Sequence, residues 1–408
     1  MCSFEPNLLV LKLHANIVNG ILECLRQIFV ENKYTEDVLD RIYKKNPQWG
    51  SRDRRFIAES TFEIVRWWRF FLYCSGSQLN EQNALQRILA AYLVKTGIDV
   101  PIWINDPHLS LDIHSRLNES VPFAIKAAIP DWLDEVGQKE LGPSRWESEM
   151  NAMNSQAKVF LRSNTLKITA EKLQKLLRDK QVETKIVSTS DDALVLEKRQ
   201  NLAHLEEYKN GLFEIQDLGS QTIAPFLGAQ RGERIIDACA GGGGKTLHIA
   251  SLMDNNGEIW ALDVEEKKLE NLKIRAKRAG IGITKTSVID ERFIIEHGGY
   301  ADKLLLDVPC SGLGVLKRNP DTKWKTTHES IEVIKVLQAT ILEQYPRMLK
   351  VGGEMVYATC SILPSENGGQ IERFLKTYGN QYSLLEEKTI WPSEGADGYY
   401  MARLRKNS

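Results

Sequence analysis

The 408-residue sequence has little of what marks several classes of protein. Its six cysteines are widely spaced and no Cys-x-x-Cys pair occurs, which argues against a zinc site, a thioredoxin-like motif or a disulfide framework. No apolar run reaches the ~18 residues that cross a bilayer. The N-terminus lacks the pattern of a signal peptide. The chain is therefore expected to be cytoplasmic, with no membrane partner and no bound metal.

The total charge gives no nucleic-acid signature either, because the formal net charge is only −1. Basic residues do cluster locally, and one cluster lies beside a cysteine motif discussed below: Lys317, Arg318, Lys323 and Lys325. Three of the cysteines have no motif around them, and most such residues behave as small buried hydrophobes. We expect that role for Cys2, Cys24 and Cys74.

Hydrophobic spacing divides the chain into successive parts. Residues 1–141 show helical periodicity, and Gly-Pro followed by a polar stretch predicts a linker over 142–156. Residues 157–215 are predicted to form a small α+β module. Its predicted elements are strands at 159–162, 184–187 and 193–196 and a helix at 170–179.

Strands and helices alternate in the last domain, over residues 216–408. This alternation predicts an α/β fold with a mostly parallel, doubly wound, Rossmann-like sheet. The predicted strands end at Asp237, Asp263, Asp307 and Thr359. Ligands bind at the carboxyl ends of such strands, so the loops after these residues are expected to converge on one cleft.

A glycine-rich turn, Asp237-Ala-Cys-Ala-Gly-Gly-Gly-Gly-Lys-Thr246, joins a predicted strand to a predicted helix. Its glycines allow the backbone to wrap a ligand at the helix N-terminus. A P-loop needs glycine where Cys239 stands, and a dinucleotide fingerprint starting at Gly241 needs one where Thr246 stands. A nucleoside cofactor without a phosphate chain remains, and S-adenosylmethionine fits, with Asp263 accepting from the ribose hydroxyls. The alternative is a tight turn with a packed aspartate.

Two Cys-Ser pairs follow two predicted strands, in Asp307-Val-Pro-Cys310-Ser-Gly and in Ala358-Thr-Cys360-Ser. If the strands are neighbours, their ends lie about 5 Å apart and both loops can face one substrate. A thiolate is a strong nucleophile that also departs readily, which suits addition to carbon 6 of a cytosine so that carbon 5 can take a methyl group. Asp307 is placed to hydrogen-bond the base, or else it only caps the turn.

These motifs resemble the RsmB/Sun-type RNA cytosine-C5 methyltransferases over about residues 215–405. Further matching segments are Arg318-Asn-Pro-Asp-x-Lys-Trp324, Thr359-Cys-Ser-Ile362 and Asp397-Gly-Tyr-Tyr-Met-Ala-x-Leu404. The segment Leu161-Arg-Ser-Asn-Thr-Leu-Lys167 is similar to the part of the family that precedes the catalytic domain. Ser51-Arg-Asp-Arg-Arg-Phe56, ahead of a helix with Val65-Arg-Trp67, resembles the NusB-like RNA-binding domain of the ribosomal RNA members.

The resemblance implies roles for individual residues. Cys360 would be the nucleophile, and Cys310 would assist release of the product. The cofactor would be S-adenosylmethionine, held by the glycine-rich turn and three acids: Cys239, Ala240, Gly241, Gly242, Gly243, Gly244, Lys245, Asp263, Asp290 and Asp307. The family usually has Ala-Pro where this chain has Gly241-Gly242, and losing a proline should raise the ordering cost of the turn on binding.

The resemblance also implies an RNA partner, with 16S ribosomal RNA as the expected substrate of a monomeric enzyme. The target base must leave its stack, so single-stranded or flipped-out cytosine is favoured. Lys317, Arg318, Lys323 and Lys325 are expected to contact the RNA backbone.

Several alternatives stay open at this point: a tRNA cytosine-C5 methyltransferase, a non-catalytic ribosome assembly factor on the same fold, and the DNA-type arrangement with Cys310 as nucleophile. Amino-directed methyltransferases carry an Asp/Asn-Pro-Pro-aromatic motif that this chain lacks.

Overall fold

The computed structural model describes residues 13–104 and 107–408, which divide into two compact units. The first unit contains the described residues up to Ser155 together with Leu316–Thr327. The second contains Gln156–Val315 and His328–Ser408. Cys2 lies outside the described residues. Across the described part of the chain, we find no helix with both the length and the apolar character that a membrane crossing requires.

The first unit is helical over its described residues, as the periodicity predicts. Its helices are Ala15–Phe29, Thr35–Lys45, Ser51–Arg66, Trp68–Ser75, Ala84–Thr96, Pro107–Leu117, Phe123–Lys126, Asp131–Leu141, Pro143–Met153 and Thr322–Lys325. Cys24 and Cys74 are fully buried in the core of this unit, which confirms the prediction for these two residues. Burial raises the pKa of both thiols to about 12, so neither is a ready nucleophile.

The stretch predicted as a linker is helical instead, because Pro143–Met153 forms a helix within it. Gly142, with φ 78°, ends the preceding helix, and Pro143 occupies the first helical position, where its missing N–H leaves no bond unmade. Trp146 is fully buried against Gly137, and its indole N–H donates to Asp134 at 2.7 Å. This packing makes the polar stretch part of the helical unit, and the unit boundary falls after Ser155.

The second unit begins with a small antiparallel sheet, in the order β2-β3-β1-β4. Its strands are β1 (Phe160–Ser163), β2 (Thr184–Ile186), β3 (Ala193–Leu196) and β4 (Phe213–Ile215). The helix Ala170–Asp179 packs on this sheet, and the short helix Glu206–Lys209 precedes β4. The three strands and the helix predicted from the sequence are therefore confirmed, and β4 is additional.

A seven-stranded sheet forms the rest of the second unit, in the order β10-β11-β9-β8-β5-β6-β7. Its strands are β5 (Arg234–Asp237), β6 (Glu258–Asp263), β7 (Thr284–Val288), β8 (Ala301–Asp307), β9 (Leu349–Thr359), β10 (Tyr382–Ile390) and β11 (Tyr399–Lys406). Strands β5 to β9 are parallel to one another, whereas β11 is antiparallel to both β9 and β10. The predicted Rossmann-like sheet is confirmed.

The helices of the second unit that accompany this sheet are Leu218–Gln221, Ile223–Leu227, Gly244–Leu252, Glu266–Ala279, Glu291–Glu296, His328–Gln344 and Gly368–Tyr378, with 3₁₀ turns at Tyr345–Met348, Pro364–Glu366 and Pro392–Glu394. The sequence predicts a helix up to about residue 349, but the α-helix ends at Gln344. Pro346 lacks the N–H that would continue it, and the tighter 3₁₀ turn leads directly into β9.

Gly137→Ala tests the packing between the helices Asp131–Leu141 and Pro143–Met153. An added Cβ would lie 2.3 Å from the Trp146 ring, and that ring is too deeply buried to move aside. We expect a loss of about 1–3 kcal/mol in the free energy of unfolding, from overpacking, measured by urea denaturation. Gly50→Ala is the control, because an added Cβ there meets nothing within 4 Å. Equal losses in the two variants would contradict this description of the packing.

Candidate active site

The predicted site residues lie at the carboxyl edge of the seven-stranded sheet. Strands β8 and β9 pair in parallel with Asp307 opposite Ala358, so the two Cys-Ser turns leave the sheet side by side. Strand β5, which leads into the glycine-rich turn, lies between β8 and β6. The edge therefore carries the turns of Cys360 and Cys310, the glycine-rich turn and Asp263 in that order.

The glycine-rich turn is fastened to the end of β6 through Asp263. One carboxylate oxygen of Asp263 accepts from the N–H of Gly241 and the other from the N–H of Glu265, both at 2.9 Å. Gly243 has φ 84°, and a Cβ there would lie 2.5 Å from Leu272. The turn thus needs glycine at position 243 for both its backbone conformation and its packing.

A cleft of about 320 Å³ opens over this turn. It is lined by Ile215, Gln216, Ser220, Asp237, Cys239, Ala240, Gly241, Gly242, Gly244, Lys245, Arg275 and Asp307. A Cβ added at Gly241 would meet nothing within 4 Å, and one added at Gly244 would have Gln216 as its nearest neighbour, at 3.7 Å. The glycines therefore leave open a cradle of backbone at a helix N-terminus, which fits a nucleoside cofactor as the sequence predicts.

Two of the predicted cofactor acids already have partners at this edge. Asp263 is nearly buried and both its oxygens accept from the backbone amides described above, so its contact with a ribose stays a prediction. Asp290 follows β7 and is exposed, and its side chain caps the next helix by accepting from the N–H of Phe293 at 2.7 Å. A cofactor role for Asp290 also stays a prediction.

Charged groups of opposite sign meet beneath the cleft. The ammonium of Lys245 lies 2.5 Å from Oδ2 of Asp307. Burial by itself would lower the pKa of Lys245, but the Asp307 carboxylate outweighs it and the pKa is raised. The nearby Asp237 is almost fully buried and accepts from the Thr246 hydroxyl at 2.7 Å. Burial raises the pKa of Asp237 to about 7, with a smaller contribution from Asp307.

The two cysteines of the paired turns are in direct contact. Their Sγ atoms lie 3.1 Å apart, and the Cys360 N–H donates to the Cys310 sulfur at 3.3 Å. The Cys360 sulfur, together with burial, raises the pKa of the Cys310 thiol well above its ordinary value. Cys310 is therefore held as a neutral thiol beside Cys360.

A buried carboxylate, Glu366, joins the two cysteine turns from behind. It accepts from the N–H of Ser311 at 2.8 Å and from the hydroxyls of Ser311 and Ser361, each at 2.5 Å. The Gln338 amide also donates to it, at 3.1 Å. Sequence reasoning did not single out Glu366, because a glutamate after the Thr-Cys-Ser turn gains meaning only when the two turns are known to be neighbours.

The basic cluster predicted to contact RNA packs within the helical unit. Lys317 and Lys323 are buried, with 6% and 1% of their surface exposed. The Lys323 ammonium donates to Asn154 at 3.1 Å, and that of Lys325 donates to the backbone of Ile28 at 2.7 Å.

The rest of this segment is anchored in the same way. The Trp324 indole donates to the backbone of Val65, and Asp321 accepts from the N–H of Thr35. Arg318 is half-buried. The structure thus gives Lys317, Lys323 and Lys325 a packing role, and RNA contact by the cluster stays a prediction.

Two family descriptions match this chain. The family described as 16S rRNA methyltransferase RsmB/F matches residues 224–405, which include the glycine-rich turn and both cysteine turns. The ferredoxin-like domain of the RsmF/B-like methyltransferases matches residues 129–203. The second match covers the end of the helical unit and most of the small antiparallel sheet.

Individual proteins are similar along much of their length. The probable ribosomal RNA small subunit methyltransferase B of Synechocystis sp. is 31% identical over 439 residues, covering 94% of this chain and 97% of the relative. The ribosomal RNA small subunit methyltransferase B of Vibrio cholerae is 34% identical over 68% of this chain and 65% of its own length. The solved methyltransferase homolog protein from Pyrococcus horikoshii covers 69% of this chain and 97% of its own, with 27% identity and a TM-score of 0.62.

Asp237→Asn tests the buried acid beneath the cleft through the pH dependence of stability. Because the folded protein raises the pKa of Asp237 from 3.8 to about 7, its contribution to stability is complete below the lower value and is lost as the pH rises through the upper one. Asparagine does not titrate. We therefore expect the wild type to lose stability relative to the variant between pH 4 and 7, in urea unfolding.

The control for this measurement is Asp254→Asn, at an exposed aspartate paired with Arg231. A stability difference between the wild type and Asp237→Asn that is constant across the pH range would contradict the assignment.

Glu366→Ala tests the carboxylate behind the two cysteine turns. It leaves the N–H and hydroxyl of Ser311 and the hydroxyl of Ser361 without their acceptor, and each buried unpaired donor costs about 1–3 kcal/mol. We expect the free energy of unfolding to fall by at least about 2 kcal/mol. Glu296→Ala removes an exposed pair with Arg292 and should change it by less than about 0.5 kcal/mol. Similar values for the two variants would refute the role given to Glu366.

Proposed function

Because the chain belongs to the RsmB/F family of 16S ribosomal RNA methyltransferases, which are S-adenosylmethionine-dependent, we propose that it methylates carbon 5 of a cytosine in small-subunit ribosomal RNA through a covalent adduct of Cys360. The family establishes a methyltransferase that acts on ribosomal RNA. The base, the atom and the covalent step are inferred from the site.

The observation that carries the proposal is the contact between two thiols beside the glycine-lined cleft. Methyl transfer to an amino or hydroxyl group needs no sulfur nucleophile, whereas carbon 5 of cytosine is too weak a nucleophile to react unaided. A paired arrangement of Cys360 and Cys310, with Sγ atoms 3.1 Å apart, supplies one group to add to the base and a second to help it leave.

S-adenosylmethionine, when bound at the glycine-rich turn, supplies the methyl group. The turn fits it because Gly241 and Gly244 leave the cleft open at the N-terminus of the helix Gly244–Leu252. Asp263 holds the turn against β6 and is assigned to the ribose hydroxyls. Asp290 is assigned to the cofactor on the resemblance to the family alone.

Cys360 acts first, as the nucleophile. Its thiolate forms a bond to carbon 6 of the cytosine, and the displaced electron pair makes carbon 5 nucleophilic. After carbon 5 has gained the methyl group it loses its proton to a base. The electron pair then restores the double bond between carbons 5 and 6 and expels the Cys360 thiolate, which returns the enzyme to its starting state.

Cys310 assists the last step. Because its pKa is raised, Cys310 keeps its proton, and at 3.1 Å its S–H can donate a hydrogen bond to the departing Cys360 sulfur. Asp307 is assigned to the cytosine edge. One of its oxygens binds Lys245, and the other would accept from the amino group or the protonated N3 of the base, which stabilises the adduct.

Cys360→Ala should abolish methyl transfer and leave cofactor binding unchanged, because the thiol approaches the base rather than the glycine-rich turn. Transfer of labelled methyl groups to small-subunit ribosomal RNA measures the first effect, and calorimetric titration with S-adenosylhomocysteine measures the second. Cys74→Ala is the control for the loss of a thiol that belongs to neither the cleft nor the cysteine turns, because Cys74 lies in the core of the helical unit. Methyl transfer retained in Cys360→Ala would contradict the assignment of Cys360 as the nucleophile.

Cys310→Ala should accumulate a covalent protein–RNA adduct, because Cys360 can add to the base but leaves it slowly. Denaturing electrophoresis detects the adduct as a band of reduced mobility. The double variant Cys310→Ala/Cys360→Ala should show no such band. The roles would be reversed if the adduct survived the loss of Cys360 and disappeared with the loss of Cys310.

A further inference from the structure

The glycine-rich turn is held by an arginine that lies on a neighbouring helix and is one of the residues lining the cleft. Arg275 lies on the helix Glu266–Ala279, and its guanidinium donates to the backbone carbonyl of Gly242. The other terminal nitrogen of the same guanidinium donates to Glu214 at 2.9 Å. Glu214 belongs to β4 of the small antiparallel sheet and is itself buried. Arg275 thus links the turn to the small sheet, through its hydrogen bond to Gly242 and its ion pair with Glu214.

Gly242 is the residue that gives this arginine room. Its φ lies outside the left-handed region, unlike that of Gly241 and Gly243, so the backbone conformation does not require glycine at this position. A Cβ at Gly242 would instead lie 3.2 Å from the nearest nitrogen of Arg275. The missing side chain at position 242 therefore serves the contact with Arg275.

A second arginine holds the carbonyl two residues further along the turn. Arg162, at 3% exposure, donates to the carbonyl of Gly244 at 2.8 Å and also contacts Gln216. Two carbonyls of the turn, those of Gly242 and Gly244, are thus fixed by guanidinium groups that belong to other elements.

We propose that Arg275, oriented by Glu214, is a positioning residue that orders the glycine-rich turn before S-adenosylmethionine binds. The inference rests on the proposed function for the identity of the ligand. A turn with four successive glycines loses much conformational entropy when it is ordered. The ion pair between Arg275 and Glu214 orders the turn when the protein folds. Cofactor binding therefore loses less conformational entropy.

The contact between Arg275 and Gly242 also lies at the position where this chain departs from its family. Where the family has proline, which stiffens the turn covalently, this chain has Gly242 and an arginine that fills the space above it. Arg275 therefore substitutes for the missing proline by a non-covalent restraint. The affinity for the cofactor should depend on it, whereas the rate of transfer from the bound cofactor should not.

The test compares Arg275→Ala with the wild-type full chain, using S-adenosylhomocysteine as the probe. If the loosened turn occupies its competent conformation about a tenth of the time, the dissociation constant rises about tenfold. We expect that rise in calorimetric titration, and kcat at saturating cofactor within about twofold of the wild type. Hydrogen exchange of residues 239–245 should be faster in the unliganded variant and equal to wild type when the probe saturates the site.

Arg278→Ala is the matched control. Arg278 lies on the same helix and also pairs with Glu214, but it stacks on Tyr208 and does not reach the turn. Its loss should leave the dissociation constant and the exchange of residues 239–245 close to wild type. Gly242→Ala gives a second route that keeps Arg275. Its Cβ, 3.2 Å from Arg275, should displace the guanidinium and weaken binding, and the substitution should add nothing in the Arg275→Ala background.

Several outcomes would overturn the proposal. Wild-type binding and exchange in Arg275→Ala would show that the arginine does not order the turn. Weaker binding with unchanged exchange in the unliganded variant would make Arg275 a direct ligand contact instead. If Arg275→Ala fails to fold, the same measurements on Gly242→Ala test the inference. A wild-type dissociation constant and wild-type hydrogen exchange in Gly242→Ala would then refute it. A wild-type chain that does not bind S-adenosylhomocysteine would refute the proposed function. Hydrogen exchange of the unliganded variants would still test whether Arg275 orders the turn.

Discussion

The in-register parallel pairing of β8 with β9 is the constraint on which the site depends. With Asp307 opposite Ala358, the chain leaves both strands at the same height, and the two Cys-Ser turns that follow come into contact. Sliding one strand by a residue would turn its side chains to the opposite face of the sheet. Glu366 fixes the pairing from the other side, because it accepts hydrogen bonds from the serine that follows each cysteine.

The small antiparallel sheet contributes to the cofactor end of the same unit. Arg162 leaves β1 and Glu214 leaves β4, and through them this sheet fixes the carbonyls of the glycine-rich turn. The cysteine end depends on neighbouring parallel strands, whereas the cofactor end depends on long side chains from a separate sheet. In the proposed mechanism, this division separates the residues that act on the base from those that set the affinity for the methyl donor.

Much of this arrangement can be predicted from the sequence, because its signals are local. Glycine spacing, strand-ending acids and the Cys-Ser pairs predict the edge of the sheet and its residues. Strands β7 and β10 escape prediction because they are polar and lie at the two edges of the sheet, where alternation is weak. Glu366 and Arg275 escape it because their roles arise from partners distant in sequence. The burial of Lys317 and Lys323 also escapes prediction, because charge in a sequence does not reveal burial.

The proposal that the protein methylates carbon 5 of a cytosine in small-subunit ribosomal RNA through Cys360 is tested most directly in cells that lack this gene. Bisulfite sequencing of their ribosomal RNA reads each cytosine, since 5-methylcytosine resists conversion. We expect one cytosine to be protected from bisulfite conversion when the wild-type gene is restored, and to be converted when Cys360→Ala is restored at equal abundance. Protection that persists with Cys360→Ala, or that never depended on the gene, would contradict it.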